Sequence, residues 1–476
     1  MSGSADSGVV FLPGSYRDRS ARVCCSGDRV LRALTGEAAA VWQQLQLSDF
    51  WRQICQQGLV VATTEAEGEA AWAVQQGYQL VLQHERIGLI SWPWEWSFSM
   101  LRDAALLQLS LLQQALPAGF DLADATPFNF QFRGASVQFM DVGSFRLRQP
   151  TGLWEGYRQF CEQFLAPLLL QAWKQMDFQP LLRGRMTGIP LRQMAGLLSW
   201  RDLLFRRGAL THIWLHSRVA SVMQRRRQQA GSDELSTEMI LSNLRGLQRV
   251  VQSLQWTPAD SAWQDYYETA AHATAHEAEK SQFVSRACSQ FRPDVTWDLG
   301  CNEGRYSRIA AEWGTVLALD ADHAVIDRLY RRLAAEPRDS VFRQRITPLV
   351  FNLADPSPSQ GWRLQERMSL LARSQPRLVL CLAVIHHLVL GCGLLLEDVV
   401  RWLAELQVPV VFEWVDREDP LVCRMLQQRK DVFTDYSEER LRSALRGVFQ
   451  VGAEQCLSGG HRKLLLLLPV TAGDQA

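Results

Sequence analysis

Several signatures are missing from this 476-residue sequence. None of its ten cysteines forms a CxxC pair and no zinc-finger spacing occurs, which removes the common structural zinc modules. Scattered thiols in so long a chain point to a reducing compartment, and the expected location is cytoplasmic. No apolar run approaches the roughly 20 residues of a membrane-spanning helix. The run Leu464–Leu468 is too short to span and reads as a buried strand. The opening residues, MSGSADSGVV, show no basic segment followed by an apolar one, so no secretion signal is expected. Charge of one sign is also missing. Lys plus Arg and Asp plus Glu both count 50, so no global basic field holds nucleic acid. No internal repeat is visible.

What is present divides into parts. At roughly 100–200 residues per domain the length suggests two or three. The most polar break, QRRRQQAGSDELSTE at about 224–238, has the composition of an exposed linker. A helix follows, with Ile240, Leu244, Leu247, Val251 and Leu254 on one face, and Pro258 closes it. A second helical stretch is expected from about Ser261 to Gln290. The expected organisation is an α+β N-terminal domain over 1–230, a linker helix over 231–257 and an α/β domain over 258–476.

In that last domain short apolar runs alternate with amphipathic helices, the pattern of a parallel sheet with helices on both faces. The runs are 295–300, 316–321, 346–353, 377–384, 408–415, 449–457 and 463–470. The last two are joined by SGGHR, a hairpin-length connection. Asp298-Leu-Gly-Cys-Asn-Glu-Gly304 follows the first run and opens a helix. Gly300 and Gly304 let the backbone turn tightly and approach a ligand. The second run ends in Asp320, about 20 residues on, where a carboxylate can accept both hydroxyls of a ribose.

These segments resemble the class I S-adenosylmethionine (SAM)-dependent methyltransferases, a Rossmann-like fold. DLGCNEG is similar to that family's first motif, with Asn302 where its middle glycine stands, and LALDAD to its second. The resemblance implies SAM as cofactor, bound by Asp298, Gly300, Asn302, Gly304 and Asp320. FNLADP falls where the family's third strand meets adenine, which makes Asn352 and Leu353 candidate contacts. LCLAVIHHL is similar to the fourth-strand motif, whose terminal residues, with Leu382 among them, face the methyl group.

His386 and His387 lie past the fourth strand, at the sheet edge where ligands bind. An imidazole titrates near neutrality and can take a proton from a hydroxyl or amine. Glu413 closes the fifth strand and is a further candidate for contact with substrate. Cys381 and Cys392 flank the histidines, but cysteine on an apolar strand reads as core, and no metal is expected. The acceptor is expected to be a small molecule, a sugar or a lipid-linked compound methylated on oxygen or nitrogen.

The N-terminal domain carries one informative stretch. Asp124 stands five residues before Asn129, then come an apolar strand-turn-strand and Asp141-Val-Gly143. The order and spacing resemble a divergent protein-kinase-like fold, which implies a catalytic Asp124, metal-holding Asn129 and Asp141, and ATP-Mg as a partner. The departures are that Leu122-Ala123 replace His-Arg, that Thr126 replaces the lysine, and that no glycine-rich phosphate loop is visible. Arg32 with Glu37 stands where a Lys–Glu pair would be. The stretch 150–228 interleaves arginine with aromatics. It reads as helices with solvated basic faces rather than an RNA surface, which would centre on Arg225–Arg227.

As a whole the chain is similar to bacterial methyltransferase-like proteins related to host-specific nodulation proteins, through WPWEWSFSMLRDAALLQL, DATPFNFQF, FMDVGSF, YRQFCEQFLAPLLL, LADPSPSQGW and LAVIHHL. The alternatives to a methyltransferase alone are a bifunctional protein with an ATP-binding or phosphotransfer N-terminal domain, and a non-catalytic SAM-binding assembly protein.

Overall fold

The structure, a computed structural model, describes residues 9–66, 70–149, 154–218, 237–258, 273–427, 433 and 435–470. The chain divides into two compact units. One comprises 1–133, 137–257 and 358–368; the other comprises 134–136, 258–357 and 369–476. Arg225–Arg227 and the 261–272 part of the expected helix lie outside the described residues.

In the first unit β1 (Val9–Phe11), β2 (Ala21–Ser26), β3 (Arg29–Leu34), β4 (Thr63–Glu65) and β5 (Leu80–His84) form an antiparallel sheet in the order β1-β2-β3-β5-β4. Helices Gly36–Leu47 and Asp49–Gln56 occupy the connection from β3 to β4. Ser48 separates them, and its hydroxyl accepts from the Trp51 N–H at 3.1 Å, a cap worth about 1 kcal/mol. Helix Phe98–Ala115 follows β5, with Met100, Leu101, Leu109, Leu111 and Leu112 all fully buried. A helix apolar on so many sides must be enclosed by other elements.

That helix leads through β6 (Phe120–Leu122) into the Asp124–Asn129 loop. The hairpin β7 (Phe130–Arg133) and β8 (Ser136–Phe139) comes next, then β9 (Phe145–Leu147), which pairs antiparallel with β6. The described residues from Tyr157 to Leu215 are mainly helical. Helix Thr237–Ser253, expected as a linker, buries Ile240, Leu244, Leu247 and Val251 within this unit. Its Gln248 accepts a side-chain hydrogen bond from Gln113 at 2.9 Å.

The segment 358–368 falls inside the range expected for the C-terminal domain, yet it belongs to the first unit. Its Glu366 carboxylate accepts from Tyr16 Oη at 2.9 Å, Arg17 Nε at 2.8 Å and the Trp362 N–H at 3.1 Å. The neighbouring Arg367 guanidinium sits 4.4 Å from the Phe128 ring centre and 5.3 Å from that of Trp92, within cation–π range.

The second unit is built on one seven-stranded sheet. Its strands are β10 (Val295–Leu299), β11 (Thr315–Asp320), β12 (Ile346–Val350), β13 (Leu378–Cys381), β14 (Val410–Val415), β15 (Phe449–Cys456) and β16 (Arg462–Pro469). The order is β12-β11-β10-β13-β14-β16-β15. The first five are parallel and β16 runs antiparallel to both its neighbours. Five crossover strands and a terminal hairpin make the class I methyltransferase sheet. β12, β13 and β14 are buried at every position, because helices cover both faces of such a sheet and leave no polar side. Pro348 is tolerated in β12 because that strand lies at the sheet edge. β15 is the other edge, largely exposed and interrupted between Val451 and Ala453. An irregular edge of this kind discourages pairing with another chain.

Candidate active site

β10 ends in Asp298-Leu299, and the chain then turns through three residues with positive φ: Gly300 at 67°, Asn302 at 48° and Gly304 at 74°. A Cβ on Gly300 would stand 2.6 Å from Val384 Cγ2, and one on Gly304 would stand 2.8 Å from Leu329 Cδ1. These two glycines therefore answer both to backbone sign and to close packing. Asn302 takes the position of the missing middle glycine because asparagine tolerates the left-handed region better than other side chains.

The loop is tied to the end of β11 by one carboxylate. Asp320 accepts the Asn302 N–H on Oδ2 at 3.0 Å and the Asp322 N–H on Oδ1 at 2.9 Å. The Gly300 and Cys301 N–H groups both donate to the Leu319 carbonyl. Burial pushes the Asp320 carboxyl above its ordinary value, against the lowering effect of those backbone donors. Each of its oxygens keeps lone-pair capacity for a further donor. Asp298 is buried more deeply, at 1% exposure, and accepts from Ser307 Oγ at 2.6 Å. That bond fastens β10 to the first turn of helix Arg305–Ala311. Burial, with Asp320 adding to it, lifts the Asp298 carboxyl to about 7.

After β12 the Phe351 N–H donates to the Asp320 carbonyl, so the third strand's exit is pinned beside the second's. Asn352 is exposed and its Oδ1 accepts from the Ala354 N–H at 2.9 Å, while Leu353 is half-buried. Leu382, just past β13, is buried, and Ala383 has a φ of 55°. Left-handed backbone at a residue with a Cβ costs on the order of 1 kcal/mol and clusters at functional sites. Cys381 is buried on β13, where burial pushes its thiol up to about 12; it is unreactive at neutral pH. Cys392 is exposed. Among the described residues no group of three or more His, Cys, Asp and Glu is arranged to hold a metal.

His386 is fully buried and neither ring nitrogen has a hydrogen-bond partner. Its ring centre lies 4.0 Å from that of His387. Burial first, then His387, Arg462 and Lys280, hold the His386 imidazole well below its ordinary range. Burial and Arg462 bring His387 down to about 4. Both rings are therefore neutral at physiological pH.

Glu413 is also fully buried. Its Oε1 meets Lys280 Nζ at 2.7 Å and Arg462 Nη1 at 3.4 Å, while Oε2 has no partner. Arg462 Nε donates in turn to Asp419 Oδ2 at 2.7 Å. Lys280, Arg462 and Asp419 escape sequence reasoning. Lys280 lies in the helix before β10, and its partner is on the fifth strand of the sheet, so no local spacing signals the pair.

In the first unit Arg32 on β3 does not pair with Glu37, which is exposed. Its Nη1 donates to Asp141 Oδ1 at 2.6 Å and its Nε to His84 Nε2 at 3.2 Å. Thr63 Oγ1 donates to the Val61 carbonyl and lies 2.9 Å from His84 Nδ1. These roles fix a neutral His84 protonated on Nδ1. Burial, with Arg32 adding to it, brings that imidazole down to about 3. Asn129 is buried with its Nδ2 unpartnered. Burial and the nearby Asp141 raise the Asp124 carboxyl, and the Asn129 carbonyl accepts from the Met140 N–H at 2.9 Å, so Asp124, Asn129 and Asp141 lie in one region.

No protein-family model matches the chain. Among solved structures it is similar to the N-methyltransferase NodS from Bradyrhizobium japonicum WM9 in complex with S-adenosyl-L-homocysteine, at 13% identity and a TM-score of 0.31, covering 44% of this chain and 98% of that one. It is also similar to magnesium protoporphyrin IX methyltransferase (ChlM) from Synechocystis PCC 6803 with bound SAH, at 13% identity and a TM-score of 0.29, covering 53% and 95%. Nodulation protein NoeA of Rhizobium meliloti (strain 1021) is 33% identical over 462 residues, 95% of either chain. With that identity along nearly its whole length, the chain belongs to the family of nodulation protein NoeA.

Proposed function

We propose that the second unit is a SAM-dependent methyltransferase acting on an oxygen or nitrogen of a small-molecule, sugar or lipid-linked acceptor. The observation that carries this reading is the Asp320 carboxylate, which gathers the N–H of Asn302 from the first loop and of Asp322 from the second. That arrangement puts an acidic acceptor beside a left-handed loop, as a ribose diol requires. The residues fit the cofactor on a further count: Asn302 Oδ1 is buried without a partner. Gly300, Asn302, Gly304 and Asp320 would hold SAM, Asp298 would brace the loop from below, and Asn352, Leu353 and Leu382 would border it.

When bound, SAM supplies a methyl group on a positively charged sulfur. The protein's part is to bring the acceptor's lone pair into line with it, and positioning of this kind lowers a barrier without a strong base. His386, kept neutral, offers a nitrogen lone pair to the acceptor's O–H or N–H. His387 and Glu413 complete that end of the site. The NoeA relative's name supports a role in nodulation.

The test is calorimetric titration of SAM into the purified full-length protein beside its Asp320→Ala variant. Micromolar binding that disappears in the variant supports the site, and no binding to well-folded wild type removes it. SAM affinity without turnover on any acceptor of the native pathway would leave a non-catalytic SAM-binding protein.

A second reading adds a nucleotide site in the first unit, where Asn129 Nδ2 is buried and unpartnered in the region of Asp124 and Asp141. The Arg32 guanidinium on Asp141 weighs against a metal there, because the cation already neutralises that carboxylate. Magnesium-dependent ATP binding lost in Asp141→Ala supports phosphotransfer, and no ATP binding at any magnesium concentration excludes it.

A further inference from the structure

Among the buried side chains of the second unit with unused hydrogen-bonding capacity are Glu413 and His386. Glu413 keeps Oε2 without a partner, and His386 keeps both ring nitrogens, with both residues fully buried. A buried polar atom with no partner costs on the order of 1–3 kcal/mol, so three such atoms in one region need a reason. The same two cations act on both residues. Lys280 and Arg462 bind Glu413 Oε1, and both act on the His386 imidazole.

The charges there are already matched. Lys280 is engaged by Glu413, and Arg462 is engaged by Asp419 and Glu413. Two cations meet two carboxylates, so the charges of these four groups balance without any ligand. A carboxylate or phosphate entering it would be an unpaired buried charge, which is strongly disfavoured. The open atoms ask for something else. Glu413 Oε2 can only accept a hydrogen bond, and a neutral imidazole has one accepting and one donating nitrogen.

We propose that Glu413 Oε2 and His386 form the acceptor-binding end of the methyl-transfer site, that Lys280 and Arg462 position Glu413 for this task, and that the group they take is an uncharged hydrogen-bond donor such as a hydroxyl. The inference rests on the methyltransferase reading and narrows its substrate class: the methylated group is an alcohol or a neutral amine rather than a carboxylate. Lys280 and Arg462 act through Glu413 and are positioning residues.

The experiment uses the full chain saturated with S-adenosylhomocysteine and four probes on one sugar scaffold: methyl glucoside, its 2-amino analogue, glucuronate and glucose 6-phosphate. Binding is read by ligand-observed NMR. The wild type is expected to bind methyl glucoside at least tenfold tighter than either anion. Glu413→Gln removes one negative charge and leaves the cations in excess, so the preference should move at least tenfold towards the anions. Lys280→Met removes a positive charge and should favour the protonated 2-amino probe by a similar factor. Binding of S-adenosylhomocysteine by each variant shows that it is folded. Anion preference in the wild type overturns the proposal, and that arm needs no variant to fold. Unchanged preference in both folded variants overturns it as well. Failure of S-adenosylhomocysteine to bind the wild type is a different result, and it removes the methyltransferase reading itself.

Discussion

The backbone N–H of Asn302 meets the Asp320 carboxylate at 3.0 Å, and this contact joins two loops that lie 18 residues apart in sequence. In Asp320→Ala the N–H groups of Asn302 and Asp322 lose their acceptor and a ribose would lose two hydrogen bonds. At about 1.5 kcal/mol for each bond to a charged group, SAM affinity is expected to fall about 100-fold or more. Asp320→Asn keeps one acceptor oxygen and is expected to fall between the two. Titration calorimetry of the three proteins ranks them, and equal affinities would mean that Asp320 has no part in cofactor binding.

Gly300 separates two demands that usually coincide. Its φ of 67° disfavours any side chain, and a Cβ would meet Val384 Cγ2 at 2.6 Å. Gly300→Ala is expected to lower stability by about 1–3 kcal/mol. Adding Val384→Ala removes the clash and leaves the backbone strain. The double variant should therefore recover part of the loss seen in Gly300→Ala relative to Val384→Ala alone. Denaturant unfolding of all four proteins measures the coupling; simple additivity would show that the contact does not matter.

The sequence was most legible where structure is local. The first two strand runs, the glycine loop between them and the acid that ends the second all sit within about 25 residues of each other, and the hydrophobic period reports them directly. The helix at Thr237–Ser253 appears where the pattern put it, with Ile240, Leu244, Leu247 and Val251 buried. Legibility ended where partners come from distant elements. The Lys280–Glu413 pair joins a helix before the sheet to its fifth strand. The Arg32–Asp141 pair joins positions over a hundred residues apart, and it displaced the expected pairing of Arg32 with nearby Glu37. The segment 358–368 reads as a loop of the second unit because nothing in its composition reveals that Glu366 is met by Tyr16 and Arg17.

Asp298 makes a prediction about pH. Its carboxyl is lifted to about 7, chiefly by burial, from an ordinary value near 3.8. Between these values the folded state holds a proton that the unfolded state has released, so Asp298 costs stability progressively as pH rises through this window. Asp298→Asn stays neutral throughout and still offers an oxygen to Ser307. Relative to wild type, the variant should gain roughly 1–4 kcal/mol of stability between pH 4 and pH 8. Urea unfolding at the two pH values tests the sign, and a variant that loses ground at pH 8 would contradict the burial argument.

Glu366 makes the opposite prediction for the first unit. Burial pushes its carboxyl up, but the bonds from Arg17, the Trp362 N–H and Tyr16 outweigh burial and hold it at about 2. A depressed carboxyl contributes stability that is complete above its ordinary value of 4.5 and is lost as pH falls from there towards 2. With Arg17 largely exposed, solvent screening reduces the contribution to about 1–2 kcal/mol. Glu366→Gln removes the charge and keeps one acceptor, so 358–368 should loosen from Arg17 while Arg367 stays over Phe128 and Trp92. Hydrogen exchange of the backbone amides in 358–368 should speed up at pH 7, with little change in helix Phe98–Ala115. Acidification of the wild type towards pH 3 should reproduce the same local pattern. If exchange rises equally across the whole first unit, Glu366 supports the fold of that unit at large and has no separate role in holding the segment.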